Sequence, residues 1–188
     1  MSVVPAKIQL RRELRARWRA LSDGQRAAEA ELICRRMTGQ DFWQPAKAVL
    51  LFAPLPDEVN LWPLLEHALA EGKIVTLPRL VADRNRYVAV PVGDLRRDLV
   101  AGAFGIREPV GSCGEFPLTK IDLAVIPGVG FDLRRNRLGR GKGYYDQLLA
   151  DFGGIKCGVA LDEQIVESVP VEIQDVPMDV VLTPTRVI

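Results

Sequence analysis

The chain has 188 residues, 48% of them hydrophobic and 26% charged, with 25 basic side chains against 24 acidic ones for a net charge of +1. That length suits one domain able to bury most of its apolar side chains. So small a net charge argues against a general nucleic-acid binder, which carries a larger basic excess.

Ile8, Leu10, Leu14, Trp18 and Leu21 recur at helical spacing and predict a first helix over residues 6–21. Arg11, Arg12, Glu13 and Arg15 interrupt this stretch, so it lacks the apolar core of a signal peptide. Its arginine-rich start has the look of a transit peptide but reads as part of the fold. Ser22 with Gln25 three residues on forms a capping-box pattern, predicting a second helix from Asp23 toward Thr38. Residues 46–53 read as a buried strand ending in the turn Pro54-Leu-Pro-Asp-Glu58. Asn60 then suits a helix cap, with Pro63 in the first turn and Gly72 as the stop.

Strands are expected over residues 73–80, 87–92, 121–126, 155–161 and 180–187, with a helix over 143–152 that carries Tyr144, Tyr145, Leu148, Leu149 and Phe152. Strands alternating with helices predict a three-layer α/β/α domain with a largely parallel sheet, in which ligands sit beyond the carboxyl ends of the strands. The turn around Glu58 and the stretch from Gly128 to Lys142 both fall at such ends. No apolar run reaches the roughly 20 residues that span a bilayer, so no membrane partner is expected. Cys34, Cys113 and Cys157 are scattered and odd in number, and they read as free thiols of a reducing compartment, the cytoplasm. With His67 as the single histidine, zinc sites and serine–histidine catalysis lose their support.

One segment stands apart. Residues 126–146 read Ile-Pro-Gly-Val-Gly-Phe-Asp-Leu-Arg-Arg-Asn-Arg-Leu-Gly-Arg-Gly-Lys-Gly-Tyr-Tyr-Asp. Gly139, Gly141 and Gly143 alternate with Arg140 and Lys142, after an apolar strand and before a helix. Glycines let backbone N–H groups approach an anion, cations neutralise it, and a helix N-terminus adds its dipole. Asp146 adds a carboxylate within reach of a metal riding on that anion. The segment is neither a Walker A loop, because Gly143 follows Lys142 where Ser or Thr is needed, nor a Rossmann fingerprint, because the Gly-x-Gly-x-x-Gly spacing is missing. From spacing alone two other readings stay open: a solvated basic loop, and an arginine- and glycine-rich segment whose tyrosines stack on single-stranded nucleic acid.

The run Pro-Gly-x-Gly-Phe-Asp-x-x-x-Asn-Arg-Leu-Gly-Arg-Gly-Lys-Gly-Tyr-Tyr-Asp resembles the signature of the 5-formyltetrahydrofolate cyclo-ligase family, also called 5,10-methenyltetrahydrofolate synthetases. Lys7-Ile-Gln-Leu-Arg11 resembles that family's N-terminal Lys-x-x-x-Arg, and Asp57-Glu58 its substrate-contacting turn. Gly72-Lys73 with Pro78, Gly105-Ile-Arg-Glu-Pro109, Ala160-Leu-Asp-Glu-Gln164 and Val169-Pro-Val171 leading to Asp175 also fit. The resemblance implies that ATP is held by Lys7, Arg11, Arg137, Leu138, Gly139, Arg140, Gly141, Lys142, Gly143, Tyr144 and Tyr145. It implies Ala53, Glu58, Arg140, Gly141 and Lys142 near the folate, with Gly139 and Gly143 also candidates to touch it. Asp146 and Asp175 are implied near Mg2+. The implied fold is the α/β type shared with sugar-phosphate isomerases and CoA transferases, and a monomer is the default. Two positions depart from the family pattern. Arg135 stands where glycine is usual, and Gln174 where many bacterial members have histidine.

The implied reaction is ATP-dependent closure of 5-formyltetrahydrofolate to 5,10-methenyltetrahydrofolate, with release of ADP and phosphate. A formamide oxygen is a poor leaving group, so the γ-phosphoryl group is first transferred onto it, and N10 then attacks the formyl carbon as phosphate leaves. Arg140 and Lys142 are the implied catalytic residues, offsetting charge between donor and acceptor. Retention of Lys7, Arg11 and Glu58 argues against a paralogue with another acceptor. A folate- or nucleotide-binding protein without turnover is the other alternative.

Overall fold

In the computed structural model, which describes residues 3–102, 107–111 and 113–188, the two N-terminal periodic segments are helices α1 (Val3–Ala20) and α2 (Asp23–Thr38). The expected capping box joins them. Gln25 N donates to Ser22 Oγ at 3.2 Å, and Ser22 N donates to Gln25 Oε1 at 2.9 Å, pairing two otherwise orphaned donors. Helix α2 buries Ala30, Ile33, Cys34 and Met37, the i, i+3, i+4, i+7 stripe of a core-facing helix.

Strand β1 (Ala48–Leu50) is followed by helix α3 (Trp62–Ala70), strands β2 (Ile74–Val81) and β3 (Arg86–Val92), then β4 (Leu99–Ala101) and β5 (Arg107–Pro109). Strand β6 (Leu123–Pro127) leads into β7 (Gly130–Asp132) and β8 (Arg137–Leu138). Helix α4 (Tyr144–Leu149), β9 (Ile155–Val159), β10 (Ile165–Val166) and β11 (Val180–Leu182) complete the chain. Asn60 Oδ1 accepts from Trp62 N at 3.1 Å just ahead of α3, but the N-cap position is Leu61, one residue later than expected, and it has no side-chain cap. Gly105 and Ile106, part of one segment that carries the family resemblance, lie outside the described residues.

The central sheet has the order β11-β9-β6-β1-β2-β3. Every neighbouring pair is parallel except β2 and β3, a hairpin whose register runs from Val75↔Val92 to Val81↔Arg86. Alternate residues serve opposite faces. Val49, Leu51, Leu123, Val125 and Cys157 join the cluster that includes Ile33, Met37, Leu64 and Leu65 of α2 and α3. Leu50, Ala124, Ile126 and Val181 join the one that includes Leu148 and Leu149 of α4. Strands covered on both faces read as continuous apolar runs, which is why they were visible in the sequence. The mainly parallel α/β sheet is the expected one. Several elements are shorter than expected, β1, β9, β11 and α4 among them: the helix over 143–152 stops at Leu149, where the chain turns back toward β9. Among the described residues, no helix is long and apolar enough to cross a membrane.

Part of the stretch expected as an open loop is a hairpin. Strands β7 and β8 pair antiparallel, Gly130↔Leu138 and Phe131↔Arg137, and β10 adds to β7. The turn is organised by Asp132, which is fully buried. Its carboxylate accepts from Arg134 N, Asn136 N, Asn136 Nδ2 and Val169 N at 2.9–3.0 Å. Four donors satisfy a charge that burial would otherwise penalise heavily. Inside this turn Arg135 adopts φ +66°, the left-handed region, where a non-glycine residue costs about 1–2 kcal/mol. Replacing it with glycine relieves that strain but adds unfolded-state entropy. Arg135→Gly is therefore expected to stabilise the protein by roughly 0.5–1 kcal/mol in urea denaturation. An unchanged or lowered midpoint would show that strain at Arg135 does not exceed the entropy that glycine adds.

Candidate functional site

Strands β1 and β6 are neighbours in the sheet, Val49↔Leu123 and Leu50↔Ala124. The chain leaving β1 (residues 51–58) and the chain leaving β6 (residues 128–143) therefore emerge side by side from the same carboxyl edge. The β7–β8 hairpin then presents residues 139–143 over that edge. Gln164, 4% exposed, braces its base by donating Nε2 to Gly128 O at 3.0 Å and to Val129 O at 3.1 Å. Gly141 and Gly143 take φ +98° and +70°, conformations that glycine alone adopts freely. Helix α4 begins at Tyr144 and has six residues, fewer than about two turns, so its dipole is short. The positive field here comes from side chains.

Those side chains converge from distant parts of the chain. Arg11 on α1 donates Nε to Gly139 O at 2.8 Å. Burial and the charge of Arg15 lower its pKa, the response of a desolvated cation beside another cation. Lys142 is exposed and has no ion pair among the described residues. Arg137 is buried and lies under Tyr145, 5.5 Å from the ring centroid; its Nη2 donates to both oxygens of Asp146 at 3.0 Å. Arg140 spans the cleft, donating Nε to Glu58 Oε1 at 2.9 Å and Nη1 to Asp57 Oδ2 at 3.1 Å. Burial opposes the charge on Asp57, yet the Arg140 guanidinium outweighs it and holds that carboxyl below its ordinary value.

Lys7 extends the pattern. Its ammonium donates to Asp175 Oδ2 at 2.5 Å and Glu172 Oε2 at 2.8 Å. Burial alone would lower its pKa, but the two carboxylates raise it above the ordinary value. Burial likewise pushes the Tyr145 phenol well up. Tyr87 packs against both tyrosines of the signature, 5.0 Å from Tyr144 and 5.4 Å from Tyr145 between ring centroids.

Together these groups line one cleft of about 1250 Å³. It is walled by every residue singled out from the sequence: Lys7, Arg11, Ala53, Glu58, the run from Arg137 through Gly143, Tyr144, Tyr145, Asp146 and Asp175. Gln174, the second departure from the family pattern, also faces it. The sequence reading missed several members. Glu172 sits three residues before Asp175 and was signalled only by that proximity. Pro78, already part of the family resemblance, joins Tyr87 and Leu80 in an apolar wall from β2 and β3, and nothing in local spacing marked Tyr87 or Leu80. Among the described residues no three His, Cys, Asp or Glu side chains form a metal cage. Asp146 and Asp175 are two carboxylates, a donor set that suits Mg2+ carried by phosphate oxygens and water rather than by protein alone.

Arg137→Met removes a nearly solvent-free partner from Asp146, whose side chain is 18% exposed. Breaking such a pair is expected to lower stability by about 3 kcal/mol in urea denaturation, and a loss under about 1 kcal/mol would mean solvent already screens it. Asp57 titrates with the opposite consequence from Lys7. Because its folded pKa is lowered, its contribution is complete above the unfolded carboxyl value of about 4. That contribution vanishes as pH falls through the lower folded value. The stability gap between the protein and Asp57→Asn should therefore be constant above about pH 5 and narrow as pH falls below about 4, and a gap that stays constant there would refute the pairing.

The model of the 5-formyltetrahydrofolate cyclo-ligase family matches residues 3–184. The mouse 5-formyltetrahydrofolate cyclo-ligase is 32% identical over 193 residues, covering 97% of this chain and 95% of the relative. The enzyme of the same name from Escherichia coli K12 is 32% identical over 178 residues, covering 93% and 98%. The NMR structure of Aquifex aeolicus 5,10-methenyltetrahydrofolate synthetase superposes with a TM-score of 0.86 at 35% identity, over 96% of this chain and 91% of that one.

Proposed function

The chain belongs to the 5-formyltetrahydrofolate cyclo-ligase family, and from that premise we propose how its cleft converts 5-formyltetrahydrofolate to 5,10-methenyltetrahydrofolate. The protein is a cyclo-ligase of folate metabolism. What carries the proposal is one observation: the cationic glycine-rich loop and the turn ending at Glu58 meet across a single cleft of about 1250 Å³. Pockets for one small ligand are about 300–1,000 Å³, so there is room for a nucleotide and a folate together.

ATP is the co-substrate in this reading. Arg11 and the backbone of Gly139, Gly141 and Gly143 hold its phosphates, with Lys7, Leu138, Tyr144 and Tyr145 lining the nucleotide side. Arg137 acts at one remove, by fixing Asp146. Glu58 accepts hydrogen bonds from the pterin, and Ala53 packs beside it. Arg140 and Lys142 face the transferring phosphoryl group. In the first step the bond from the γ-phosphorus to the bridging oxygen breaks and one to the formyl oxygen forms, leaving ADP. In the second, N10 attacks the formyl carbon and loses its proton, and phosphate leaves with the former formyl oxygen. No covalent nucleophile is needed; positioning and charge neutralisation supply the catalysis. Mg2+ bound with the polyphosphate would neutralise its oxygens, and Asp146 and Asp175 would hold it. Binding it asks both carboxylates to give up part of their pairing with Arg137 and Lys7. A cytoplasmic location accords with the free thiols of Cys34, Cys113 and Cys157.

The test is to mix the protein with 5-formyltetrahydrofolate and MgATP, and to follow the near-ultraviolet absorbance of the methenyl product alongside ADP. Equal amounts of the two are expected. ADP without methenyl product would point to another acceptor. Lys142→Ala and Asp146→Asn should each reduce turnover about a hundredfold or more with the fold intact; near-normal turnover would remove that residue from the mechanism.

A further inference from the structure

Arg140 is tied more thoroughly than a residue serving phosphoryl transfer should be. Its Nη1 and Nη2 fork onto the two oxygens of Asp57 at 3.1 and 2.5 Å, while Nε is on Glu58 at 2.9 Å. The second oxygen of Glu58 accepts from Leu55 N at 3.0 Å, so the turn that receives the guanidinium is itself fixed. Three of the five N–H donors are taken, and the end-on edge that would fork an oxyanion is fully occupied. Two carboxylates around this cation spend its charge within the corner, so parked there it offers little to a polyphosphate.

The pairing is uneven in a way that suggests how it opens. The Glu58 side chain is 10% exposed, whereas Asp57 and Arg140 are 44% and 34% exposed. Glu58 lines the large cleft. Asp57 instead lines a small side pocket of about 80 Å³ beside Arg15 and Trp18. We propose that Asp57 is a positioning residue: it parks Arg140 against the folate-side turn, and folate arriving at Glu58 releases the guanidinium toward ATP.

The exchange needs no large motion. Pterin N–H groups compete for Glu58 and displace Arg140 Nε, which leaves a neutral, partly solvated Asp57–Arg140 pair. Pairs exposed to that degree are weak, so the phosphates of ATP can draw the guanidinium away. Gly139 and Gly141 flank Arg140, giving its backbone the latitude to follow. Each substrate then tightens the binding of the other by the same factor, as linkage requires. ATP held without folate lacks Arg140, which keeps phosphoryl transfer to water slow. This inference rests on the substrate assignment proposed above.

The experiment measures binding of a non-hydrolysable ATP analogue with magnesium by calorimetry, with and without saturating 5-formyltetrahydrofolate. In the unmodified protein folate is expected to tighten the analogue by about tenfold, within the usual range of site–site coupling. Asp57→Asn keeps the shape and removes the charge. It should bind the analogue more tightly without folate, reduce the coupling to about threefold or less, and produce more ADP than methenyl product. Asp57→Glu restores the charge and should recover part of the coupling. Coupling absent from the unmodified protein, or unchanged in Asp57→Asn, overturns the proposal. So does weaker folate-free binding in Asp57→Asn, because that is the mark of a purely structural role. Turnover of 5-formyltetrahydrofolate by the unmodified protein separates the two levels. Methenyl product without coupling defeats only the role of Asp57, whereas no product defeats the substrate assignment beneath it.

Discussion

The parallel pairing of β1 with β6 is the constraint on which the site depends. Val49 lies opposite Leu123 and Leu50 opposite Ala124, all of them fully buried. Parallel neighbours deliver their following segments to the same edge of the sheet. A slip of one residue would turn each strand's side chains to the wrong face and strip both cores of their partners, so the register is strongly specified. With it comes the meeting of Glu58 and Arg140, 82 positions apart in the chain. Helix α1 closes the arrangement from the side, bringing Lys7 to Asp175 across 168 positions and Arg11 to Gly139 across 128.

A second regularity is electrostatic. Lys7, Arg137 and Arg140, three of the cations lining the cleft, are matched internally by carboxylates: Asp175 and Glu172, Asp146, and Asp57 with Glu58. Arg11, Arg15, Arg107 and Lys142 also line the cleft, form no ion pair among the described residues, and are left to attract an anion. Without such matching, a cluster of cations in a half-buried cleft would repel itself and weaken the fold. The pairing lets one site be stable without ligand and still strongly charged toward polyphosphate. In the proposed reaction, substrate binding would be an exchange of partners rather than the creation of new charge, which would limit the desolvation each step requires.

Arg135 and Asp132 show how local strain is carried by its surroundings. The hairpin turn forces Arg135 to a positive φ, but Asp132 gathers four donors around the same turn, and Met178 N donates to Arg135 O at 3.0 Å. A turn fixed from several sides can tolerate a residue that would not choose it. The departure from glycine at this position therefore bears on stability, while the residues that reach the cleft keep their placement.

The α2 helix with its capping box, the buried strands and the alternation of strand and helix were legible in the sequence, because periodicity and caps are local and act within a few residues. The Gly139–Gly143 segment was legible for the same reason: alternating glycines and cations have few structural uses. The β7–β8 hairpin was not visible, since its pairing depends on Asp132 reaching Val169 and on Gln164 reaching Gly128, contacts that no local pattern announces. Nor were the roles of Asp57, Glu172 and Tyr87. The sequence by itself marked the glycine-rich loop and Asp146 as candidates through spacing, and resemblance to a known family added Lys7, Arg11, Ala53, Glu58 and Asp175. Only the tertiary structure decided which carboxylate faces which cation, because that pairing is made by the order of strands in the sheet and by burial, and both are properties of the whole chain.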